Sequence, residues 1–333
     1  MLIPEVGRKK FHVRLVIGII TGFLWLGIIL HLIPFWWMIT TSFKPYYEVF
    51  STSFLPPRHP TLVAYKLIFS IPATARDVSL VYPLWVYLKN SAIYTGTIMF
   101  FQIVGTALVA YSLSKLQSPR WSRLLFLFFI GTMLIPGQIS LIPRYLIISH
   151  FPFPTKHIPN IPFTNIAFPH HNFLNSYWAV ILPMLFSPFY VLLFKGFFDG
   201  IPNELINAAR LDGSSEMGIF RRIILPLSKP VFAVVSYFSF SAIWNEFMWP
   251  LIVLQNQKLY PISVQLYMIQ RVLSHRGMTT TGTTDPDVLR FLEAGTGYNG
   301  LMALAIIESI PVFIMFIIFR EQLMKGIKLR GFK

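Results

Sequence analysis

Two carboxylates lie inside long apolar stretches of this 333-residue chain: Glu308, about halfway along the last stretch, and Glu246, beside Asn245 toward the outer end of the one before it. A charge near the centre of a bilayer costs about 2.5–3.5 kcal/mol on insertion scales, so such groups should face a partner helix or a wet cavity rather than lipid. With Trp244, Phe247 and Trp249 close by, they suit a polar pathway whose aromatic faces stack on sugar rings. The alternative is interhelical hydrogen bonding that holds a bundle together, and this is the better reading for Glu308, His31, Gln102 and Gln138. For Asn245 and Glu246 both remain open.

Other chemistries find less support. His150, His157, His170 and His171 fall in one stretch, but no spacing sets them on one helix face and no carboxylate lies among them, so solvated loop histidines are preferred to a metal site. The chain has no cysteine, which excludes disulfides, thiolate metal sites and cysteine nucleophiles. There is no G-x-x-x-x-G-K-[ST] phosphate loop, no H-E-x-x-H and no G-x-S-x-G. The reading is therefore of a non-enzyme with no cofactor of its own. Work against a gradient would draw on another chain or on an ion gradient.

The densest charge sits at 202–230, PNELINAARLDGSSEMGIFRRIILPLSKP, between two apolar stretches. Its pattern predicts two short helices with a bend. Asn203 is placed to cap the first, Leu205, Ala208, Ala209 and Leu211 give it a compact apolar side, and Gly213 stands where a chain leaves a helix through φ > 0. Ser214 or Ser215 is placed to cap the second, which runs through Ile219, Phe220, Ile223 and Ile224 until Pro226. Such a device presents a surface to a partner or rests on the membrane as an amphipathic loop.

The elements that must position these groups are membrane helices. Apolar residues make up 54% of the chain and charged residues 12%, and the mean hydropathy is +0.60, the composition of a polytopic membrane protein. Stretches near 14–41, 82–112, 121–148, 177–198, 230–254 and 298–320 are each long enough to cross about 30 Å of hydrocarbon. Residues 1–13 are read as a cytoplasmic segment. The first stretch, behind Arg8, Lys9 and Lys10, is too long for a signal-peptide core and should stay as an anchor. With both termini inside, most of the 28 lysines and arginines fall on inner segments, as the positive-inside bias requires, and the 202–230 loop is cytoplasmic. That distribution also accounts for the net charge of +15 without nucleic acid, since no basic arm stands apart. The outer loops 43–81, 149–176 and 255–297 are predicted irregular with short helices. Prolines within the apolar stretches, among them Pro34, Pro136, Pro143, Pro183, Pro188, Pro250 and Pro311, should bend their helices.

The 202–230 stretch resembles the cytoplasmic E-A-A-x-x-D-G loop of binding-protein-dependent ABC importer permeases, through Ala208, Ala209, Asp212, Gly213, Phe220, Leu225, Pro226 and Pro230. Asn207 stands where that family usually has its first glutamate, with Glu204 a turn earlier. The resemblance covers nearly the whole chain and narrows to the carbohydrate-uptake permeases, the maltose-permease-G-like subunits. It includes Ser42-Phe43-Lys44-Pro45, Asn90-Ser91, Ala110 through Lys115, Ile135-Pro136, Leu141-Ile142-Pro143, Trp244 through Phe247 and the tail from Gln322 to Lys333.

This resemblance implies an all-α, six-span permease of the type I importer kind in a prokaryotic inner membrane. It would work with a second permease, two ATPase subunits that bind ATP and Mg, and an extracellular solute-binding protein. Glu204, Asn207, Ala208, Ala209, Asp212, Gly213, Phe220 and Pro226 would then form the coupling element, and Trp244, Asn245, Glu246, Phe247 and Glu308 would line a substrate pathway. The solute would be a sugar, an oligosaccharide or a sugar-like solute such as glycerol phosphate. Two other classes compete. An ion-coupled secondary transporter would use Glu246 and Glu308, but no inverted repeat is evident. A membrane-embedded enzyme acting on a lipid-linked sugar would want paired interfacial carboxylates, and none is found.

Overall fold

The computed structural model describes residues 11–50, 54–70, 82–150, 172–279 and 297–328, and among them it is helical without strands. In chain order the helices are α1 (Phe11–Ser42), α2 (Val63–Ser70), α3 (Leu84–Tyr111), α4 (Pro119–Met133), α5 (Leu141–Ser149), α6 (Tyr177–Ile181), α7 (Pro188–Phe198), α8 (Asn203–Leu211), α9 (Glu216–Ile219), α10 (Leu225–Leu227), α11 (Lys229–Trp244), α12 (Met248–Val253), α13 (Ile262–Thr279) and α14 (Tyr298–Lys328). Among the described residues, four segments are long and apolar enough to cross a membrane: Val13–Ser42, Leu84–Leu116, Lys229–Val253 and Tyr298–Met324. Tyr177–Met184 and Pro188–Phe198, bent by 40°, make a fifth if counted together.

The stretch predicted at 121–148 is interrupted. Pro136 disfavours helical backbone at Ile135 and has no N–H to give, so the chain turns through 134–140 before α5 begins. Gln138 lies exposed in that turn rather than on a helix facing a neighbour. His31 likewise is exposed and bonds Gly27 of its own helix at 2.7 Å. Gln102 behaves as expected of an interhelical group. It is buried, its amide donates to the Met184 carbonyl at 3.0 Å, and its carbonyl accepts from Ser239 at 2.6 Å.

The chain forms two compact units, 1–70 with 269–307, and 71–268 with 308–333. In the first, the Ser42–Pro45 segment at the end of α1 is held by hydrogen bonds within that unit. Tyr65 donates to Ser42 Oγ at 2.9 Å, Thr61 N–H to the Phe43 carbonyl at 2.8 Å, and the Asn299 amide to the Lys44 carbonyl at 3.2 Å. In the second, α3, α7 and α11 pack around Ala107, Ala110, Tyr111, Val191, Phe194 and Val235. The N-terminal part of α3 is fastened to the 257–262 segment. Asn90 donates to the carbonyls of Lys258 and Tyr260 at 2.8 and 3.0 Å, Tyr94 to that of Leu259 at 2.9 Å, and Ser91 Oγ accepts from Ile262 N–H at 2.9 Å.

One of the stretches predicted to be irregular is in part a regular helix. Within 255–297, α13 runs for 18 residues behind Pro261, with Ile262, Ile269 and Leu273 buried at helical spacing. Residues 51–53, 71–81, 151–171 and 280–296 are outside the described residues, and so are His157, His170 and His171. His150 shares a 2.8 Å bond with Ser149.

Candidate functional site

The bend at 202–230 is built by backbone geometry. Gly213 takes φ 78°, which lets its N–H reach the Arg210 carbonyl at 3.0 Å and the Ser214 N–H reach that of Ala209 at 2.9 Å. This is the left-handed C-terminal cap that glycine adopts without steric cost. Ser215 caps the next helix, its Oγ accepting from Gly218 N–H at 3.2 Å.

Three details differ from the sequence reading. Pro202, not Asn203, precedes the first helical residue, and the Asn203 side chain accepts from Lys115 instead. The second helix does not stop at Pro226. It passes through a π-helical turn at Phe220–Ile224 into α10, which contains Pro226 and ends at Leu227. The apolar side of α8 is also differently phased. Ile206 is the buried anchor, 1% exposed, and Ala209 packs beside it, whereas Leu205 and Leu211 are 47% and 90% exposed. Leu205, Ala208 and Leu211, three residues apart, therefore share an outward face, next to exposed Glu204, Asn207 and Asp212. Phe220 is buried against Tyr111, ring centroids 5.4 Å apart.

The loop is fastened to the C-terminal end of α3 by polar contacts that the sequence did not indicate. Tyr111 donates to Glu216 Oε2 at 2.7 Å, and Arg210 Nε donates to Glu216 Oε1 at 2.7 Å. Arg210 also reaches the Lys115 carbonyl at 3.3 Å. Lys115 Nζ donates to the Ile201 carbonyl at 2.7 Å and to Asn203 Oδ1 at 2.8 Å. Ser114 donates to Asp199 at 2.6 Å, and Lys195 pairs with the other Asp199 oxygen at 2.7 Å. The bonds from Arg210 and then Tyr111 hold the Glu216 carboxyl below the usual carboxylate range. The Tyr111–Glu216 pair, 105 residues apart in the chain, has no local signal.

The proposed pathway residues divide. Trp244 and Glu308 come together, but through the indole N–H and the Glu308 backbone carbonyl at 2.9 Å, with both residues buried. Trp249 is also buried, its indole bonded to the Ala179 carbonyl at 2.9 Å and its backbone N–H to Glu246 Oε1 at 2.9 Å. Asn245 is exposed and donates to Ser241 of its own helix at 2.8 Å, and Phe247 stacks on Tyr267 with centroids 5.0 Å apart. Glu246 lines a narrow cleft with Ser91, Tyr94, Thr95 and Ile243 that has room for about one water molecule. Two cations in the apolar stretches were overlooked. The Arg144 guanidinium lies 5.3 Å from the Trp249 ring centroid, and Lys89 Nζ lies 5.6 Å from that of Trp85. The Trp85–Lys89 spacing of one helical turn was legible in the sequence.

Residues 102–328 match the family described as "Binding-protein-dependent transport system inner membrane component". The polygalacturonan/rhamnogalacturonan transport system permease protein YtcP of Bacillus subtilis (strain 168) is 30% identical over 96% of this chain and 99% of its own. The sn-glycerol-3-phosphate transport system permease protein UgpE of Salmonella typhi is 27% identical over 74% of this chain and 73% of its own. Among solved structures, a bacterial ABC transporter involved in the import of the acidic polysaccharide alginate aligns with TM-score 0.69 at 19% identity, over 94% of this chain and 98% of the other. That likeness is one of fold.

Proposed function

Because the chain belongs to the binding-protein-dependent transport system inner membrane components, we propose that it is the permease subunit of an ATP-driven importer for a sugar, an oligosaccharide or a sugar-like solute. It crosses the cytoplasmic membrane of a prokaryote six times, with both termini inside. In this reading 119–149 counts as one interrupted crossing and 177–198 as one bent crossing. A second permease subunit or a second copy of this chain, two ATPase subunits holding ATP and Mg, and an extracellular solute-binding protein complete the machine.

The observation that carries this reading is the 203–227 helix pair. A left-handed turn at Gly213 leaves Leu205, Ala208, Leu211 and Asp212 exposed on a short helix whose opposite side is anchored by Ile206. An exposed face with small and apolar residues, on an element fixed from behind, suits insertion into a cleft of the ATPase. Closure of the ATPase dimer then moves the loop and switches the spans between inward-open and outward-open arrangements. Trp244, Asn245, Glu246, Phe247 and Glu308 are assigned to the solute pathway.

The relatives' solutes set the first probes: labelled oligogalacturonides and sn-glycerol 3-phosphate, with maltose as a neutral sugar. Cells carrying the gene should take up one of them, lose uptake when ATP is depleted, and keep it under an uncoupler while ATP is maintained. Uptake that survives ATP depletion and collapses with the uncoupler would favour ion coupling through Glu246 and Glu308.

A further inference from the structure

Given the docking role proposed for 202–230, we propose that α3 is the element through which the loop's motion reaches the outer face, and that Tyr111, Lys115, Arg210 and Glu216 are the positioning residues that lock the loop to it. Both ends of α8 are tied to one short stretch at the inner end of α3. Its beginning is held where Lys115 Nζ meets the Ile201 carbonyl and Asn203 Oδ1. Its end is held by a closed circuit in which Tyr111 binds Glu216, Glu216 binds Arg210, and Arg210 returns to the Lys115 carbonyl.

Beneath the circuit the contact is apolar, with Tyr111 on Phe220 and with Ile206 buried in the same core. The two π-helical turns, Ser112–Leu116 and Phe220–Ile224, flank this contact. Such turns recur at functional positions in helices because they shift side chains out of the regular register.

Covalently the loop joins α7 to α11, so a push on α8 has two routes through the chain. The polar ties add a third, directly into α3. That helix is 28 residues long, about 42 Å at the usual rise. Its middle is bonded across the bundle by Gln102 to Ser239 and to the Met184 carbonyl. Its outer end holds the 257–262 segment through Asn90, Ser91 and Tyr94. A displacement delivered at Tyr111 and Lys115 is thereby carried to backbone carbonyls and an N–H on the opposite face.

The test uses the full transporter in membrane vesicles. The natural chain has no cysteine, so spin labels at Met217→Cys and Trp85→Cys report the distance from the loop to the outer end of α3. In the otherwise unchanged transporter this distance should be the same without nucleotide and with ATP, Mg and vanadate. Tyr111→Phe, which keeps the ring on Phe220, and Tyr111→Phe combined with Glu216→Ala should broaden it and make it nucleotide-dependent. In the double variant, uptake of whichever probe the wild type accepts, per ATP hydrolysed, should fall about fivefold with the ATPase subunits still attached. Glu216→Gln in the otherwise unchanged transporter, whose amide oxygen still accepts from Tyr111 and Arg210, should keep most of that ratio.

An unchanged ratio in the double variant, or loss of ATPase subunits in proportion to lost uptake, overturns the clamp. Gly213→Val, run in parallel, separates the clamp from docking. Loss of the ATPase subunits there, with their retention in the clamp variants, supports both roles, whereas retention in both sets with full uptake overturns docking and the clamp with it.

Discussion

At Gly213, φ 78° brings two N–H groups back onto the carbonyls of Arg210 and Ala209, a conformation that costs an L-residue with a Cβ about 1–2 kcal/mol. Asn visits this region more readily than a β-branched residue does, so Gly213→Asn should keep most uptake and Gly213→Val should not; parallel uptake measurements read the difference directly. Glu216 makes a second prediction at this scale. Its carboxyl is held low by Arg210 and Tyr111, so its contribution is fully present above the unfolded carboxylate pKa, about 4.3, and is lost only as pH falls through the lower folded value. The ratio of uptake to ATP hydrolysis should therefore show no loss from Glu216 between about pH 8 and pH 5. Among the residues of the loop, Gly213 and Ser215 were legible in the sequence because their roles are local. Tyr111 was not, because its partner is brought to it only by the packing of α3 against the loop.

A nine-residue helix such as α8 can place apolar residues at 205, 206, 208, 209 and 211 on either of two faces, and the pattern of Leu205, Ala208, Ala209 and Leu211 points to the wrong one. Tertiary packing decides, burying Ile206 among Phe194, Phe198 and Ile224 and leaving Leu211 outward. Ile206→Ala should cost about 2–5 kcal/mol of local stability, read as faster amide exchange over 203–211, while Leu211→Ala should leave exchange unchanged. The break between α4 and α5 had a visible cause in Pro136–Gly137, but proline alone does not distinguish a kinked helix from a turn. For α13 the helical period of Ile262, Ile269 and Leu273 was present, masked by the Gly- and Thr-rich residues that follow.

On the scale of the whole molecule, composition and the long apolar runs made a helical membrane protein legible, and the 202–230 pattern led to the permease family. The arrangement of crossings rests on charge distribution and has a direct test. With no native cysteine, Phe54→Cys, exposed in the stretch assigned to the first outer loop, should react with a membrane-impermeant maleimide added to intact spheroplasts, and Leu211→Cys only in inside-out vesicles. The central claim, that the helix pair around Gly213 connects this chain to a separate ATPase, is tested most directly by Asp212→Lys and Gly213→Val. Uptake and solute-stimulated ATP hydrolysis should both be abolished while the protein remains in the membrane at normal level. Full transport by both variants would contradict the claim.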